Sequence, residues 1–179
     1  MRNSILTKFF IGYFSFAVLG FLLITYWSTN LIYNHLVQDD AKQLNSYASV
    51  VSDNIKSLDI ESLDDISSPD NYFSDFNRVL NCNLLVLDNN KKMIYTTDKT
   101  QELNNDEHTI VFNDFDPTDY SKGSYRIGKL YNISKTDTLS VVHTLAKDDI
   151  TYGYVVAHMP TSYIKDSSYN ITYIFYVTY

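Results

Sequence analysis

Three arginines occur in the chain, and one of them, Arg126, lies among tyrosines in SYRIGKLY (124–131). A guanidinium offers parallel N–H donors that match the two oxygens of a carboxylate. Arg126 is therefore a candidate clamp for an acidic ligand, with Tyr125, Tyr131 or Tyr154 as walls of the pocket. The plain alternative is a solvated arginine on an exposed sheet face. Four histidines, at 35, 108, 143 and 158, raise the question of a metal. His143 and His158 lie on the facing segments TLSVVHTLA (138–146) and TYGYVVAHM (151–159), so the hairpin register decides whether they meet. With Ala146 opposite Tyr152, His143 faces Val155, and His158 shares the opposite face with Tyr152 and Tyr154. With Asp148-Asp149 as a tight turn, both histidines share a face, but His158 falls near Leu139. That leaves it about 13 Å along the strand from His143. Neither register builds a two-histidine metal site, so each reads as a core-edge or pocket-lining residue, and His143 joins the ligand-binding candidates.

Asp114, Asp116 and Asp119 in FNDFDPTDY (112–120) are oxygen donors suited to a hard cation, yet the spacing lacks the glycine and closing glutamate of an EF-hand loop. They are weak metal candidates beside the reading of a solvated acidic loop. The lone Cys82 closes no disulfide and reads as a small buried hydrophobe. The five glycines, at 12, 20, 123, 128 and 153, form no phosphate-cradling loop. With no nucleophile–base order or paired carboxylates either, no catalytic residue and no cofactor are expected.

The elements that must hold these residues follow from periodicity. LLVLDNNKKMIYTT reads as two strands around a turn, and TIVFNDF (109–115), GSYRIGKLYNI (123–133) and the closing hairpin supply the rest of an antiparallel sheet over 83–159. Pro160 breaks the last strand and can open a helix over 160–169. Upstream, Val37, Ala41, Leu44, Ala48, Val51, Ile55 and Leu58 recur every three or four residues and define a long helix over 28–58. Two partners fit its stripe: the domain it introduces, or a second helix across a dimer. After a polar connection over 57–70, Ser68-Pro69 opens a short helix over 69–81.

From Phe9 to Trp27 the chain runs without a single charge. At a rise of about 1.5 Å per residue, a helix of that length spans a bilayer core of about 30 Å. Tyr26 and Trp27 suit the interface, and Arg2 and Lys8 precede the span, whereas Lys42 is the first lysine or arginine after it. Residues 1–8 are therefore expected in the cytoplasm of a membrane-anchored protein, and 28–169 outside it. A net charge of −7, with scattered lysines and arginines, argues against nucleic acid as a partner. The final run, NITYIFYVTY (170–179), admits two readings, a terminal strand or the start of a second membrane helix cut off at Tyr179. The second is preferred, because a domain with an outbound helix can return through another.

The long first helix, the short helix after Pro69, the strand-turn-strand LLVLDNNKKMIYTT and the final hairpin closing on GYVVAHMP together resemble the extracytoplasmic Cache/PAS-like sensor region of a bacterial sensor histidine kinase. The resemblance covers nearly the whole chain. It implies an α+β fold with an antiparallel sheet of about five strands, a long helix packed along it, and a small-molecule pocket on the sheet face. It further implies a homodimer that signals across the membrane to a cytoplasmic response regulator, through an ATP-dependent protein histidine kinase domain beyond Tyr179. Chemoreceptors and membrane-bound cyclic-dinucleotide enzymes carry the same input half. An anchored adhesion or protein-binding module is the reading without signalling output.

Overall fold

The computed structural model describes residues 5–57, 81–98, 111–130, 134, 136–147 and 150–178. The short helix expected over 69–81 thus falls almost wholly outside the described residues, as do Leu58, Tyr131 and His108. The chain forms two compact units, one of residues 1–36 with 164–179 and one of residues 37–163.

Helix α1, Ile5–Ser57, runs unbroken for 53 residues. It is about 80 Å long at the standard rise. Its first part exposes an apolar surface, Phe9, Phe10, Phe14, Phe16, Leu22, Leu23 and Ile24 among it, and an 18-residue window there is entirely unburied. By length and composition this is a helix that can cross a membrane. Thr25 Oγ1 donates to Phe21 O (2.8 Å) and Thr29 Oγ1 to Thr25 O (3.0 Å). Hydroxyls satisfied by their own helix in this way fit apolar surroundings. Burial starts at Val37 and continues through Ala41, Leu44, Tyr47, Ala48, Val51, Ser52 and Ile55. The expected stripe is thus present, widened by Tyr47 and Ser52.

The second unit is built on a five-stranded antiparallel sheet of β1 (Asn83–Asp88), β2 (Met93–Thr96), β3 (Arg126–Gly128), β4 (Thr138–Lys147) and β5 (Ile150–Pro160), in the spatial order β2-β1-β5-β4-β3. The fold is α+β, a long N-terminal helix with an antiparallel sheet, an arrangement compatible with a PAS-like fold. The β1–β2 connection is a turn closed by Lys91 N to Asp88 O (3.0 Å), with Lys91 in the left-handed region at φ 64°. Lys92 N also donates to Asp88 Oδ1 (2.8 Å), so the aspartate caps its own turn.

Both registers considered for the closing hairpin are present. From Thr138↔Pro160 to Leu145↔Gly153 the pairing is the first one, and at Ala146↔Thr151 and Lys147↔Ile150 it is the second. A bulge between Leu145 and Ala146 absorbs the difference and leaves Tyr152 as the extra residue. The segment expected as a strand over 109–115 is described only from Val111, and there it differs: Val111 makes one bridge with Lys92, and Phe115 N then bonds Phe112 O. Asn113-Asp114 turns the chain, and Pro117 at the start of a 3-10 helix (Pro117–Gly123) lacks the N–H that a ladder needs.

Helix α2, Thr161–Thr178, begins at the residue after β5. Thr161 fastens that joint, its N–H and hydroxyl both donating to Asp137 O (3.0 and 3.1 Å) just before β4. The run from 170 is helical as far as Thr178, not a strand. Within the first unit α2 lies against α1, with Ser168 Oγ donating to Thr29 O (3.3 Å) and Thr172 Oγ1 to Ser168 O (2.8 Å). Ser168 and Ile164 of α2 are buried. A residue as small as serine lets two helices approach closely.

Candidate functional site

Alternation along the strands divides the sheet into two faces. Leu139, Val141, His143 and Leu145 of β4 point the same way as Val155 and Ala157 of β5 and Leu84 and Val86 of β1. This face meets α1: His143 Nε2 donates to Asn45 Oδ1 across 2.9 Å. Burial, then the nearby Lys56 ammonium, holds the His143 imidazole below its ordinary pKa, so it serves as a neutral hydrogen-bonded strut.

The other face is covered by chain rather than by α1. Leu85, Leu87, Val142 and Val156 pack with Met93, Phe112, Phe115, Tyr120 and Leu130 in one cluster, and Tyr154 lies against it. Phe115 meets Tyr154 edge-on at 5.3 Å and stacks on Tyr120 at 6.3 Å. Both are favoured aromatic geometries. The 3-10 helix holds Tyr120 in place, capped by Asp116 Oδ1, which accepts from Thr118 N (2.9 Å) and Thr118 Oγ1 (2.6 Å).

Beside this aromatic floor a polar row crosses four strands in register: Asn83 of β1, His158 of β5, Ser140 of β4 and Arg126 of β3. Ser140 Oγ and Thr138 Oγ1 share a hydrogen bond of 3.2 Å, and Thr138 Oγ1 also donates to Gly128 O. Arg126, half-exposed on the edge strand, donates from Nη1 to Asp119 Oδ2 at 2.9 Å. A surface pair of this kind is worth about 0–1 kcal/mol, so a ligand carboxylate can compete for the guanidinium. His158 is different. It is 4% exposed, and neither ring nitrogen has a hydrogen-bond partner. Burial pushes its pKa down from 6.5 to about 4, against a smaller upward pull from Asp98. Buried polar atoms in native proteins are nearly always satisfied, so the orphaned imidazole is the costly member of this polar row.

Of the residues singled out from sequence, Arg126 and Tyr154 share this face, whereas His143 lies on the opposite one, bonded to α1. Tyr125 is exposed and precedes the first residue of β3. Asp116 and Asp119 are engaged by Thr118 and Arg126, and no cluster of three or more metal-ligating side chains occurs among the described residues. His158, read from the sequence as a core-edge or pocket-lining residue, is absent from the ligand-binding candidates but lies in this polar row. Its signal was present in GYVVAHM, where alternation puts His158 on the side of Tyr154 and Val156. Cys82 is fully buried with its thiol pushed up to about 11 by desolvation, and it is unreactive in the folded state. Compared with known proteins, the chain matches no family model, no curated protein and no solved structure.

Proposed function

We propose that this chain is the input half of a transmembrane receptor: an extracytoplasmic Cache-like domain that binds a small carboxylate-bearing ligand between Arg126 and His158 and signals through α2. The observation that carries the reading is the orphaned His158, two strands from Arg126 and beside an aromatic floor, on the strand that runs directly into α2. With only β4 between them, two strand spacings set the backbones of Arg126 and His158 about 10 Å apart, a span that suits a small dicarboxylate or amino-acid-like ligand. The apolar first part of α1, preceded by Arg2 and Lys8, supports an anchor with its N-terminus in the cytoplasm. A shift of β5 on binding would be delivered to α2 without an intervening linker, and Asp137 ties that joint to β4. In this reading the protein is a homodimer, and its output is a histidine kinase acting on a cytoplasmic response regulator.

The test is a thermal-shift and calorimetric screen of small carboxylates on the protein in lipid nanodiscs. A binder should weaken about 10- to 100-fold in Arg126→Ala, the loss of one charge-assisted hydrogen-bond pair. It should weaken again in His158→Leu while Tyr125→Phe leaves it unchanged. A screen with no binder, or a binder indifferent to both changes, would leave the adhesion-module reading in its place.

A further inference from the structure

Within the first unit, α1 and α2 enclose a groove of about 520 Å³ whose lining includes Leu22, Tyr26, Asn30 and Tyr33 on one side and Lys165 and Tyr169 on the other. The Ser168–Thr29 hydrogen bond closes it along the helix contact. The volume falls in the range of small-molecule sites. Its chemistry is graded along the axis. Leu22 lies five residues inside the apolar run that ends at Trp27, and Tyr33 lies six residues beyond it, in a stretch that stays uncharged as far as Gln38. At about 1.5 Å per residue these are about 7 Å below and about 9 Å above the apolar boundary. A headgroup layer is about 5–7 Å thick on each side of the hydrocarbon. The groove thus starts in the acyl region; Lys165, three residues outward from the Ser168–Thr29 contact, reaches the outer edge of the headgroup layer, about 7 Å up, and Tyr33 lies beyond it.

The outer end carries one charge. Lys165 is the only ionised residue in the lining, it is exposed, and no carboxylate pairs with it among the described residues. Asn30, Tyr33 and Tyr169 add uncharged hydrogen-bonding groups to the lining. An uncompensated ammonium among neutral donors, above an apolar slot, is complementary to a molecule with an acyl tail and a negative head.

We infer that this groove binds one anionic glycerophospholipid of the leaflet that α2 enters, an acyl chain lying along Leu22 and Tyr26 and the phosphate meeting Lys165. The inference rests on the reading that α1 crosses a bilayer. The lipid would fill the wedge between the helices and so stabilise one spacing of α1 and α2. Selectivity for the anionic head comes from a single ammonium, which near a membrane surface is worth about fivefold in affinity.

The experiment is native mass spectrometry of the full chain released from nanodiscs of equimolar phosphatidylglycerol and phosphatidylcholine, together with flotation on pure phosphatidylcholine vesicles. One retained phosphatidylglycerol is expected, preferred about fivefold, with the preference lost in Lys165→Glu, kept in Lys165→Arg, and retention of any lipid lost in Ser168→Trp. Flotation without lipid preference overturns the inference and leaves the membrane reading standing. Failure to float overturns both. If Tyr169→Cys instead gives a disulfide dimer at equal yield in both lipids, the groove is filled by a second copy of the chain and the lipid inference fails.

Discussion

The ring of His158 loses its hydration on folding and gains no hydrogen bond, so the folded protein resists protonating it until the pH nears 4, whereas the unfolded chain takes up the proton near 6.5. Between those values the unfolded state holds more protons. Stability from this residue is therefore complete above about pH 6.5 and is lost as the pH falls toward 4. The full loss is roughly 3 kcal/mol. His143 also sits below its ordinary value and slopes in the same direction, so the measurement is a difference. Urea midpoints of wild type and His158→Leu across pH 4 to 7 should diverge as the pH drops, with the variant the flatter of the two. Parallel curves would mean that His158 finds a partner in solution. At this scale the sequence was legible in part. Arg126 stood out because arginine is rare here, but the value of His158 depends on its being buried beside Ser140 and Asn83, and that required the strand order.

Among the elements, the β1–β2 turn carries a local conflict. Lys91 adopts a left-handed conformation, while its carbonyl accepts from Phe112 N and so fixes the loop that leads to Phe115. That conformation costs a residue with a Cβ about 1 kcal/mol. Lys91→Gly keeps the carbonyl and relieves the conformation. It should raise stability by about 0.5–1 kcal/mol, read as a shift in Tm at unchanged unfolding cooperativity. A lower Tm would show that the lysine side chain contributes more than its backbone costs. The stripe from Val37 to Ile55 was readable because a helix against a sheet buries one side at a fixed period. The bulge beside Ala146 was not. Each half of the hairpin satisfies its own alternation, and only the pairing of the whole shows that both registers hold at once. The strand expected at 109–115 was over-read from its apolar residues, since Phe112 and Phe115 are buried as parts of a cap over the sheet.

In the whole molecule, one chain holds a helix long and apolar enough to cross a membrane and a sheet domain with its own core. From the sequence the division was expected after Trp27, where the apolar run ends, whereas the compact units part between Leu36 and Val37, where the buried stripe begins. The faces of the sheet could be assigned only once the order β2-β1-β5-β4-β3 was known, because neighbours in space are not neighbours in the chain. The division also has a spectroscopic side. Tyrosines number sixteen and are spread through both units, but the single tryptophan, Trp27, stands exposed on α1 at the end of the apolar run. Red-edge excitation therefore singles out one indole, which the proposed membrane anchoring sets at the bilayer boundary, and leaves the sheet dark. Brominated lipids should quench this emission most strongly when the bromine sits shallow in the acyl chain, and a ligand held by Arg126 should alter it only by moving the helix that carries it.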